Sequence, residues 1–557
     1  MLVQGSGIPY TGREFTAQCG MKATTGAKIF SGDRFCQSRS YQVNVRVRYA
    51  PSPTGMQHIG GVRTALFNYL FSRANNGTFI LRIEDTDQTR YSTEYEQNLY
   101  DTLSWLGIDW DEGGPRGGVF GPYIQSQRFD LYKQYALELV EKGRAYYCFC
   151  DEQRLENLRA EQTAKKQALG YDRHCRTLSP DEIQAKLTSR TPHVIRLAVP
   201  LDGTTRFHDS LLGDIEWKNS DINPDPVLIK TDGFPTYHLA NIIDDHLMEI
   251  THVMRAQEWI PSTPIHVILY NAFGWEHPDY CHLPMVMGED GQKLSKRHGA
   301  TSCNEFRNRG YLPEALINYV AMLGCSYEDG RDLYSLSELG SLFRMDHINK
   351  APAVFDYKKL EWFNGQYMRQ KTDLELFDLT WPFIANSGLL GHCAPLERNS
   401  PEARRAAGLM FDDQTLLSPE PAQRELLLRV MPLIRERLHY LTDAPLMLSF
   451  LFAEPAVPAI EDVIPKKLDA AKTREVLLAA RDLLPSIEGL DEHAADTLFR
   501  EKAAELGVKI GDIMMPVRMA VTGSKISPPL IGSIQVLGID RAVERITRTI
   551  ESLFSFP

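Results

Sequence analysis

The sequence predicts an α/β domain built on parallel strands, an α+β segment after it, and an all-α C-terminal region. Residues 43–49 alternate apolar and polar side chains as a strand does, and residues 62–72 carry apolar side chains at helical spacing. Residues 78–83 form a second predicted strand. The order strand, turn, helix, strand is typical of the parallel sheet in a nucleotide-binding domain.

The remaining elements follow from the same periodicities. The middle of the chain contains two predicted helices and then two predicted strands, at 131–143, 155–169, 193–199 and 227–229. From about residue 375 the pattern is helical, with segments of period 3.6 at 421–441, 473–484 and 541–554. Pro421 suits the first turn of its helix, whereas Pro432 is expected to kink or split it.

Composition sets the broad class. The chain has 557 residues, of which 43% are hydrophobic and 24% charged, as in globular proteins of several domains. The net charge of −11 does not support a nucleic-acid partner, but a local basic face decides that question. No apolar run is long enough for a membrane helix. A disulfide framework is typical of small secreted domains, and six of the nine cysteines are scattered along this long chain, so we expect those six to be reduced thiols in a cytoplasmic protein.

Residues 1–42 differ in composition from the rest. They are rich in Gly, Ser and Thr and carry a net positive charge. We expect this segment to be disordered. An organellar transit peptide and a wrongly placed start codon are the alternatives.

Two loops carry the residue types that bind a nucleotide. Residues 51–61 lie between a strand and a helix start, where free N–H groups attract phosphate. There Gly60 and Gly61 allow close approach of the backbone, and His58 can donate to a phosphate. The second loop has Lys293 and Lys296 between glycines, which suits the diphosphate end of ATP. Taken singly, a helix-capping turn and a solvated basic loop are the alternatives.

Three cysteines form a separate cluster in the sequence, at Cys148, Cys150 and Cys175. Two thiolates two residues apart, with a third further along, suit a structural zinc site. The fourth ligand could be Tyr171 or His174. Three unliganded thiols are the alternative.

The two loops together resemble the signature motifs HIGH and KMSKS of class I aminoacyl-tRNA synthetases. They stand here as His58-Ile-Gly-Gly61 and Lys293-Leu-Ser-Lys-Arg297, in the family's order. Glycine at position 61 is usual in the glutamyl branch. Five further segments resemble bacterial-type glutamyl-tRNA synthetases, at 48–55, 81–87, 235–241, 244–246 and 255–259. The resemblance extends from about residue 43 to the C-terminus.

The resemblance implies a glutamate–tRNA ligase. Such an enzyme uses ATP to convert L-glutamate to glutamyl-adenylate, transfers the glutamyl group to the 3′ end of tRNA(Glu), and releases AMP and diphosphate. The α-carboxylate attacks the α-phosphorus directly, so the enzyme supplies positioning and charge. His58, Lys293 and Lys296 would stabilise the transition state, and Mg²⁺ would accompany ATP while keeping most of its waters.

Residue roles follow from the same resemblance. The implied ATP-binding residues are His58, Gly60, Gly61, Glu258, Trp259, Lys293, Ser295 and Lys296. The implied glutamate-binding residues are Arg48, Ser52, Glu84, Tyr237, Asn241 and Arg255. An arginine fork suits a carboxylate, and in the family the counterpart of Arg48 holds the γ-carboxylate. Glu84 can pair with the ammonium, although a surface ion pair is the alternative for Arg48 and Glu84.

The resemblance also favours zinc. Some bacterial glutamyl enzymes carry zinc in an acceptor-binding insertion, with a Cys-x-Cys and a Tyr-x-x-x-Cys at the spacing seen here, which favours Tyr171 as fourth ligand. In some relatives a histidine two residues after the last cysteine was proposed instead, and that position is Thr177. In the C-terminal region, Arg518, Pro528 and Leu530 match positions that contact anticodon bases. A core turn is the alternative for Pro528 and Leu530.

The implied architecture is a Rossmann-type catalytic domain with an α+β insertion and an all-α anticodon-binding region. Its expected segments are 43–125 and 237–267 for the two catalytic halves, 126–236 for the acceptor-stem-binding insertion, 268–375 for a stem-contact domain carrying the second loop, and 376–557 for the helical region. A monomer is the family default.

Four rival functions differ in what the sequence would need. Glutaminyl-tRNA synthetase has an anticodon region of β-barrels, whereas this C-terminal region is predicted to be helical. A glutamyl-queuosine tRNA synthetase lacks that region, and a small-molecule nucleotidyltransferase would not need it. A tRNA-binding paralogue without activity would not need His58, Lys293 and Lys296. Whether tRNA(Gln) is also charged with glutamate stays open.

Overall fold

The structure, a computed structural model, describes residues 44–390, 394–395 and 417–554. The segment 1–42, expected to be disordered, lies outside these residues. Within the described ranges, none of the helices combines the length and the apolar character needed to cross a bilayer.

Strands occur mainly in the first half of the chain, and helices throughout. The strands are β1 (Arg46–Tyr49), β2 (Thr78–Leu81), β3 (Glu112–Gly113), β4 (Ala145–Cys148), β5 (Val194–Leu197), β6 (Thr204–Asp209), β7 (Gly213–Lys218), β8 (Val227–Ile229), β9 (His252–Ala256), β10 (Asp279–Leu283), β11 (Val286–Met287), β12 (Ala353–Val354), β13 (Ala394–Pro395) and β14 (Leu417–Ser418).

The helices of the N-terminal two thirds are α1 (Ile59–Ala74), α2 (Thr93–Leu106), α3 (Phe129–Glu141), α4 (Glu152–Ala164), α5 (Pro180–Thr188), α6 (Tyr237–Leu247), α7 (Thr263–Phe273), α8 (Cys303–Asn308), α9 (Pro313–Ala321), α10 (Leu336–Leu342), α11 (Tyr357–Arg369) and α12 (Asp373–Asn386). Those that follow are α13 (Pro421–Arg435), α14 (Ala444–Phe452), α15 (Ile460–Val463), α16 (Ala470–Leu483), α17 (Glu492–Glu505), α18 (Ile510–Thr522), α19 (Leu530–Leu537) and α20 (Ile539–Phe554).

Two groups of strands meet in the catalytic half of the fold. One has the order β1-β2-β3 and the other β7-β6-β10-β9, and all their pairings except β6 with β7 are parallel. They join where the peptide N–H of Thr251, just before β9, donates to the Arg46 carbonyl at 2.9 Å. The resulting order β3-β2-β1-β9-β10 is that of a Rossmann sheet, and its strand order reverses between β1 and β9. Ligands bind such sheets at the carboxyl ends of the strands on either side of that point.

Strand β1 is buried more completely than its alternating sequence indicated. All four of its residues are buried, including Arg46 and Arg48. Both faces of a parallel sheet are covered by helices, so a polar side chain there requires a partner. Arg46 pairs with Glu112 at 2.9 Å, and Arg48 pairs with Asp245 at 3.0 Å.

The segment predicted as an insertion, 126–236, is divided between two sheets. β4, β5 and β8 form a separate antiparallel sheet with the order β4-β5-β8. The hairpin β6–β7 instead extends the catalytic sheet, because β6 pairs with β10. The expected boundary at 267 falls inside α7, and β10, the fifth parallel strand, lies beyond it. Neither strand of this hairpin is among the elements predicted from the sequence.

The C-terminal region is helical in its described residues, apart from the two-residue pair of β13 with β14. The helix α13 continues through Pro432 and ends at Arg435, short of the predicted residue 441. Pro432 removes one backbone hydrogen bond, to the Leu428 carbonyl, and the helix ends three residues later. One apolar core runs from the sheet, for example Val47, into the last helix at Phe554.

Candidate active site

A cleft of about 950 Å³ opens at the carboxyl ends of β1 and β9. Every residue predicted to bind ATP or glutamate lines it, although these residues come from distant parts of the chain. They are Arg48, Ser52, His58, Gly60, Gly61, Glu84, Tyr237, Asn241, Arg255, Glu258, Trp259, Lys293, Ser295 and Lys296. The fold therefore brings the two predicted sets together in a single cleft.

The two signature loops are joined by backbone hydrogen bonds. The peptide N–H of Ile59 donates to the Thr301 carbonyl at 2.9 Å, and that of Cys303 donates to the Gln57 carbonyl at 3.0 Å. These contacts join the start of α1 to the segment that follows residues 293–297, which we call the lysine loop. Lys293 and Lys296 consequently lie across the same cleft as His58.

His58 caps the N-terminus of α1. Its Nδ1 accepts a hydrogen bond from the peptide N–H of Gly61 at 3.3 Å, so the proton of the neutral ring is on Nε2. Loss of solvent contact and the ammonium of Lys293 lower the pKa of His58. Gly61 has no room for a side chain, because a Cβ there would lie 2.8 Å from the Tyr49 hydroxyl. This end of the cleft thus offers a neutral N–H donor beside a helix N-terminus.

The lysine loop is held by ion pairs in this structure. Lys293 pairs with Glu258 at 2.6 Å, while Asp290 pairs with Arg297 at 3.2 Å and with His298 at 3.0 Å. Lys296 makes no ion pair within the described residues, so its ammonium is available to an anionic ligand. Both members of the Lys293–Glu258 pair are at least half exposed, and such a pair is readily exchanged for another partner.

Asp245 lies beneath the cleft and neutralises two arginines. It accepts from Arg48 at 3.0 and 3.2 Å and from Arg82 at 2.7 Å. All three side chains are almost completely buried. Burial opposes ionisation of Asp245, but the two guanidinium groups lower its pKa below the ordinary value.

Glu84 belongs to the same buried network. Arg82 donates to its Oε1 at 2.9 Å, and so does the Asn241 amide at 2.9 Å. Within the described residues every bond of Glu84 falls on Oε1, which leaves Oε2 for a ligand. Burial raises the pKa of Glu84 despite the charge of Arg82. The network as a whole is balanced, with three cations and three carboxylates: Arg48, Arg82, Arg128, Glu84, Asp244 and Asp245.

Arg255 differs from Arg48 because its partners are neutral. Its guanidinium donates to His282 Nε2 at 3.2 Å, His266 Nδ1 at 3.2 Å, Thr263 Oγ1 at 2.8 Å and the Tyr237 hydroxyl at 3.3 Å. It is 5% exposed, and among the described residues no carboxylate lies within ion-pair distance of it. Burial and the charge of Arg255 lower the pKa of both histidines. Within the described residues, Arg255 is therefore a buried cation of the cleft wall that has no counter-ion.

Four residues that organise the cleft were not assigned a role from the sequence: Arg82, Asp209, Asp245 and His282. Arg82 and Asp245 do lie in segments that resemble the family, so a signal for them existed. Asp209 and His282 lie in segments expected to form other domains, and they reach the site only because β6 and β10 join the catalytic sheet.

The three clustered cysteines meet in the inserted sheet, away from the residues that line the cleft. Their sulfur atoms lie within 4.8 Å of one another, and Cys150 Sγ is 3.5 Å from Cys175 Sγ. The Tyr171 hydroxyl is 3.3 Å from Cys148 Sγ and 3.5 Å from Cys150 Sγ. Tetrahedral zinc with Zn–S bonds of 2.3 Å places its sulfur ligands about 3.8 Å apart, so this donor set fits the ion. His174 contributes no atom to the group.

The groups around the cysteines affect how readily the thiols ionise. The Arg196 guanidinium lies 3.9 Å from the centre of the Tyr171 ring. Burial raises the pKa of Cys150 to about 12, whereas at Cys148 burial is outweighed by hydrogen bonds from Tyr171 and the Cys150 peptide, which lower the pKa. A thiol as hard to ionise as Cys150 would need a cation beside it to become a ligand.

The residues predicted to contact anticodon bases lie where α18 meets α19: Arg518 is in α18, Pro528 is in the connection and Leu530 begins α19. Pro528 is buried and Leu530 is only 2% exposed, while the Arg518 guanidinium donates to the Pro528 carbonyl at 2.8 Å. The burial of Pro528 and Leu530 agrees with the alternative stated for these two residues, a core turn between two helices, whereas Arg518 is half-buried and its role in base contact stays a prediction. The neighbouring Ile526 is 67% exposed.

Comparison with known proteins gives concordant matches. Residues 44–362 match the family described as tRNA synthetases class I (E and Q), catalytic domain, and residues 401–550 match an anticodon binding domain. A Treponema denticola protein named glutamate–tRNA ligase is 67% identical over 92% of this chain and 100% of its own length. One of the same name from Treponema pallidum is 56% identical over 92% of this chain and 98% of its own. A crystal structure of a glutamate tRNA ligase from Elizabethkingia meningosepticum, in complex with its amino acid, is 33% identical with a TM-score of 0.78, covering 92% of this chain and all of that one.

Proposed function

This chain belongs to the class I glutamyl- and glutaminyl-tRNA synthetase family, and on that basis we propose that it is a glutamate–tRNA ligase. One observation carries the proposal most directly. All residues expected to bind ATP and glutamate, drawn from positions 48 to 296, line the same cleft. A cleft that holds both substrates side by side is what adenylate formation requires.

The reaction needs no nucleophile from the protein. An α-carboxylate oxygen of glutamate attacks the α-phosphorus of ATP, the bond to the β-phosphate breaks, and diphosphate leaves. The terminal ribose hydroxyl of tRNA then attacks the glutamyl carbonyl, loses its proton, and AMP leaves. His58 offers an N–H donor, and Lys293 and Lys296 offer cations, to the charge that develops on the phosphates. Lys293 must exchange Glu258 for the nucleotide, which a surface ion pair permits.

The polar groups of the cleft match the charges of glutamate. The substrate brings two carboxylates and one ammonium. Arg255 supplies a buried cation without a counter-ion, Arg48 supplies a second guanidinium, and Glu84 supplies a carboxylate oxygen for the ammonium. Tyr237 and Asn241 add neutral hydrogen-bonding groups on the first turns of α6.

The test is exchange of labelled diphosphate into ATP in the presence of tRNA. We expect exchange to require glutamate together with cognate tRNA. Robust exchange with glutamine in place of glutamate would refute the assignment of the substrate. Charging of purified tRNA(Glu) against tRNA(Gln) then determines which tRNAs are accepted. The helical region after residue 417 supports the glutamyl over the glutaminyl enzyme.

We also propose that Cys148, Cys150, Tyr171 and Cys175 hold one structural Zn²⁺. The ion would supply the charge that turns these thiols into thiolates and would fix the inserted sheet. Elemental analysis of anaerobically purified protein should find one zinc per chain, and Cys175→Ser should lose it. A zinc-free wild-type sample would refute the site. Mg²⁺ bound to ATP, a cytoplasmic location and a monomeric state complete the proposal.

A further inference from the structure

We propose that Asp209 and His282 are positioning residues that hold Arg255 ready for a carboxylate of glutamate; this inference rests on the proposed function. The three side chains stand in a row at the carboxyl ends of neighbouring parallel strands, β6, β10 and β9. Asp209 is paired in register with Tyr280, and His282 with Arg255. The row ends at the cleft, where Arg255 forms part of the wall.

The contacts within the row are short and buried. Asp209 Oδ2 lies 2.7 Å from His282 Nδ1 and accepts the His282 peptide N–H at 3.0 Å. His282 Nε2 lies 3.2 Å from Arg255 Nε. The side chains of Asp209 and His282 are fully buried.

Chemistry fixes the hydrogen-bond directions between Asp209, His282 and Arg255, while the Thr263 hydroxyl, 3.1 Å from His282 Nε2, can donate or accept. A guanidinium only donates, so His282 Nε2 must accept from Arg255. The proton of the neutral ring is then on Nδ1, from which it is donated to Asp209. Asp209 cannot rotate away, because its Oδ1 accepts the peptide N–H groups of Leu211 at 3.0 Å and Leu212 at 2.9 Å. The carboxylate thus selects the one tautomer of His282 that can hold Arg255.

This arrangement orients Arg255 without neutralising it. A carboxylate in direct contact would hold the guanidinium equally well, but it would compete with the substrate for the same charge. With the imidazole ring between them, Asp209 sets the geometry and Arg255 keeps its charge for the ligand. Arg48 lines the same cleft but is neutralised, because it contacts the Asp245 carboxylate directly.

The first test is Asp209→Asn. The Asn oxygen must stay with the two peptide donors, so its NH₂ group faces His282 Nδ1 and drives the ring proton to Nε2. Nε2–H would then oppose Arg255 Nε–H. We expect KM for glutamate in diphosphate exchange to rise at least tenfold, while KM for ATP changes less than twofold.

A matched pair of variants separates positioning from packing. Gln at 282 can place an oxygen near the Nε2 position and has no tautomers, whereas Asn at 282 can reach only the Nδ1 position, towards Asp209. We expect His282→Gln to keep KM for glutamate within about threefold and His282→Asn to raise it at least tenfold. In the His282→Gln background, Asp209→Asn should no longer raise KM for glutamate.

The outcomes decide the proposal. The proposal would be overturned if Asp209→Asn raised KM for glutamate equally in the wild-type and His282→Gln backgrounds. It would also be overturned if His282→Gln and His282→Asn had equal KM values for glutamate. Should Asp209→Asn fail to fold, the Gln and Asn pair still decides. Failure of the proposed function would look different, because wild-type protein would then show no glutamate-dependent exchange.

Discussion

The charge count in the cleft predicts that Arg255 and Arg48 are not equivalent. Arg48 belongs to a network with three cations and three carboxylates, so its charge is balanced before any ligand arrives. Arg255 is bound only by neutral groups and is 5% exposed. Replacing Arg255 with glutamine should therefore cost more catalytic efficiency for glutamate than the same replacement of Arg48.

The expected magnitude follows from burial. Truncating one partner of a buried charge pair costs about 2–5 kcal/mol. Arg255→Gln should lower kcat/KM for glutamate by roughly 30-fold to several thousand-fold, since each 1.4 kcal/mol is a factor of ten. Arg48→Gln removes a hydrogen bond to a charged ligand, worth about 1.5–3 kcal/mol, while Asp245 keeps Arg82. The expected loss of kcat/KM for glutamate in Arg48→Gln is about 10- to 150-fold.

The assay is tRNA-dependent diphosphate exchange with glutamate varied at saturating ATP. KM for ATP is the internal control, because neither replacement touches the nucleotide end of the cleft. The charge argument would be refuted if Arg255→Gln lowered kcat/KM for glutamate by less than tenfold. It would also be refuted if Arg48→Gln lowered it by more than Arg255→Gln does.

Three further changes have definite expected results. Lys296→Ala should lower kcat by about 10²–10³ without altering thermal stability, because Lys296 makes no ion pair in the described residues. Asp245→Asn should lower the free energy of unfolding by about 3–5 kcal/mol in chemical denaturation, since Arg48 and Arg82 lose a shared counter-ion. Burial and the charge of Arg255 lower the pKa of His238 to about 4. As this value is below the unfolded one of about 6.5, stability should decline as pH falls from 6.5 towards 4, and less so in His238→Gln.

What the sequence predicted well was local. The first loop can be recognised because a strand, a Pro- and Gly-rich turn and a capped helix follow one another directly, and the structure places His58 at that cap. The lysine loop is equally contiguous. The helical character of the C-terminal region follows from its apolar period, and only the helix ends differ, as at Arg435.

What the sequence could not supply was pairing between distant residues. Arg48 and Asp245 are 197 positions apart, and the alternation of β1 does not indicate that both of its faces are buried. A surface ion pair was the alternative for Arg48, whereas the structure makes it part of a buried, balanced ionic network. Asp209 shows the same limit, because its relation to His282 depends on which sheet the β6–β7 hairpin joins. Local patterns carry no information about either choice.

The buried ionic network is difficult to explain as a device for stability. Buried ion pairs often contribute no more than well-packed apolar side chains of the same volume, because desolvation offsets their attraction. Here Arg48 lies in β1, Arg82 and Glu84 directly follow β2, and Asp244 and Asp245 lie on α6, close to the cleft. Arg82 and Asn241 occupy one oxygen of Glu84 and leave the other, while Asp245 fixes the position of Arg48.

Arg48 and Glu84 are thus each held by a second group behind them, and each keeps atoms for a ligand. Arg255 follows the same principle with a neutral ring as the holding group, and so retains a full charge. A ligand with two carboxylates and an ammonium meets preorganised partners that need little rearrangement on binding. That requirement, more than stability, accounts for three arginines and three carboxylates buried beneath one cleft.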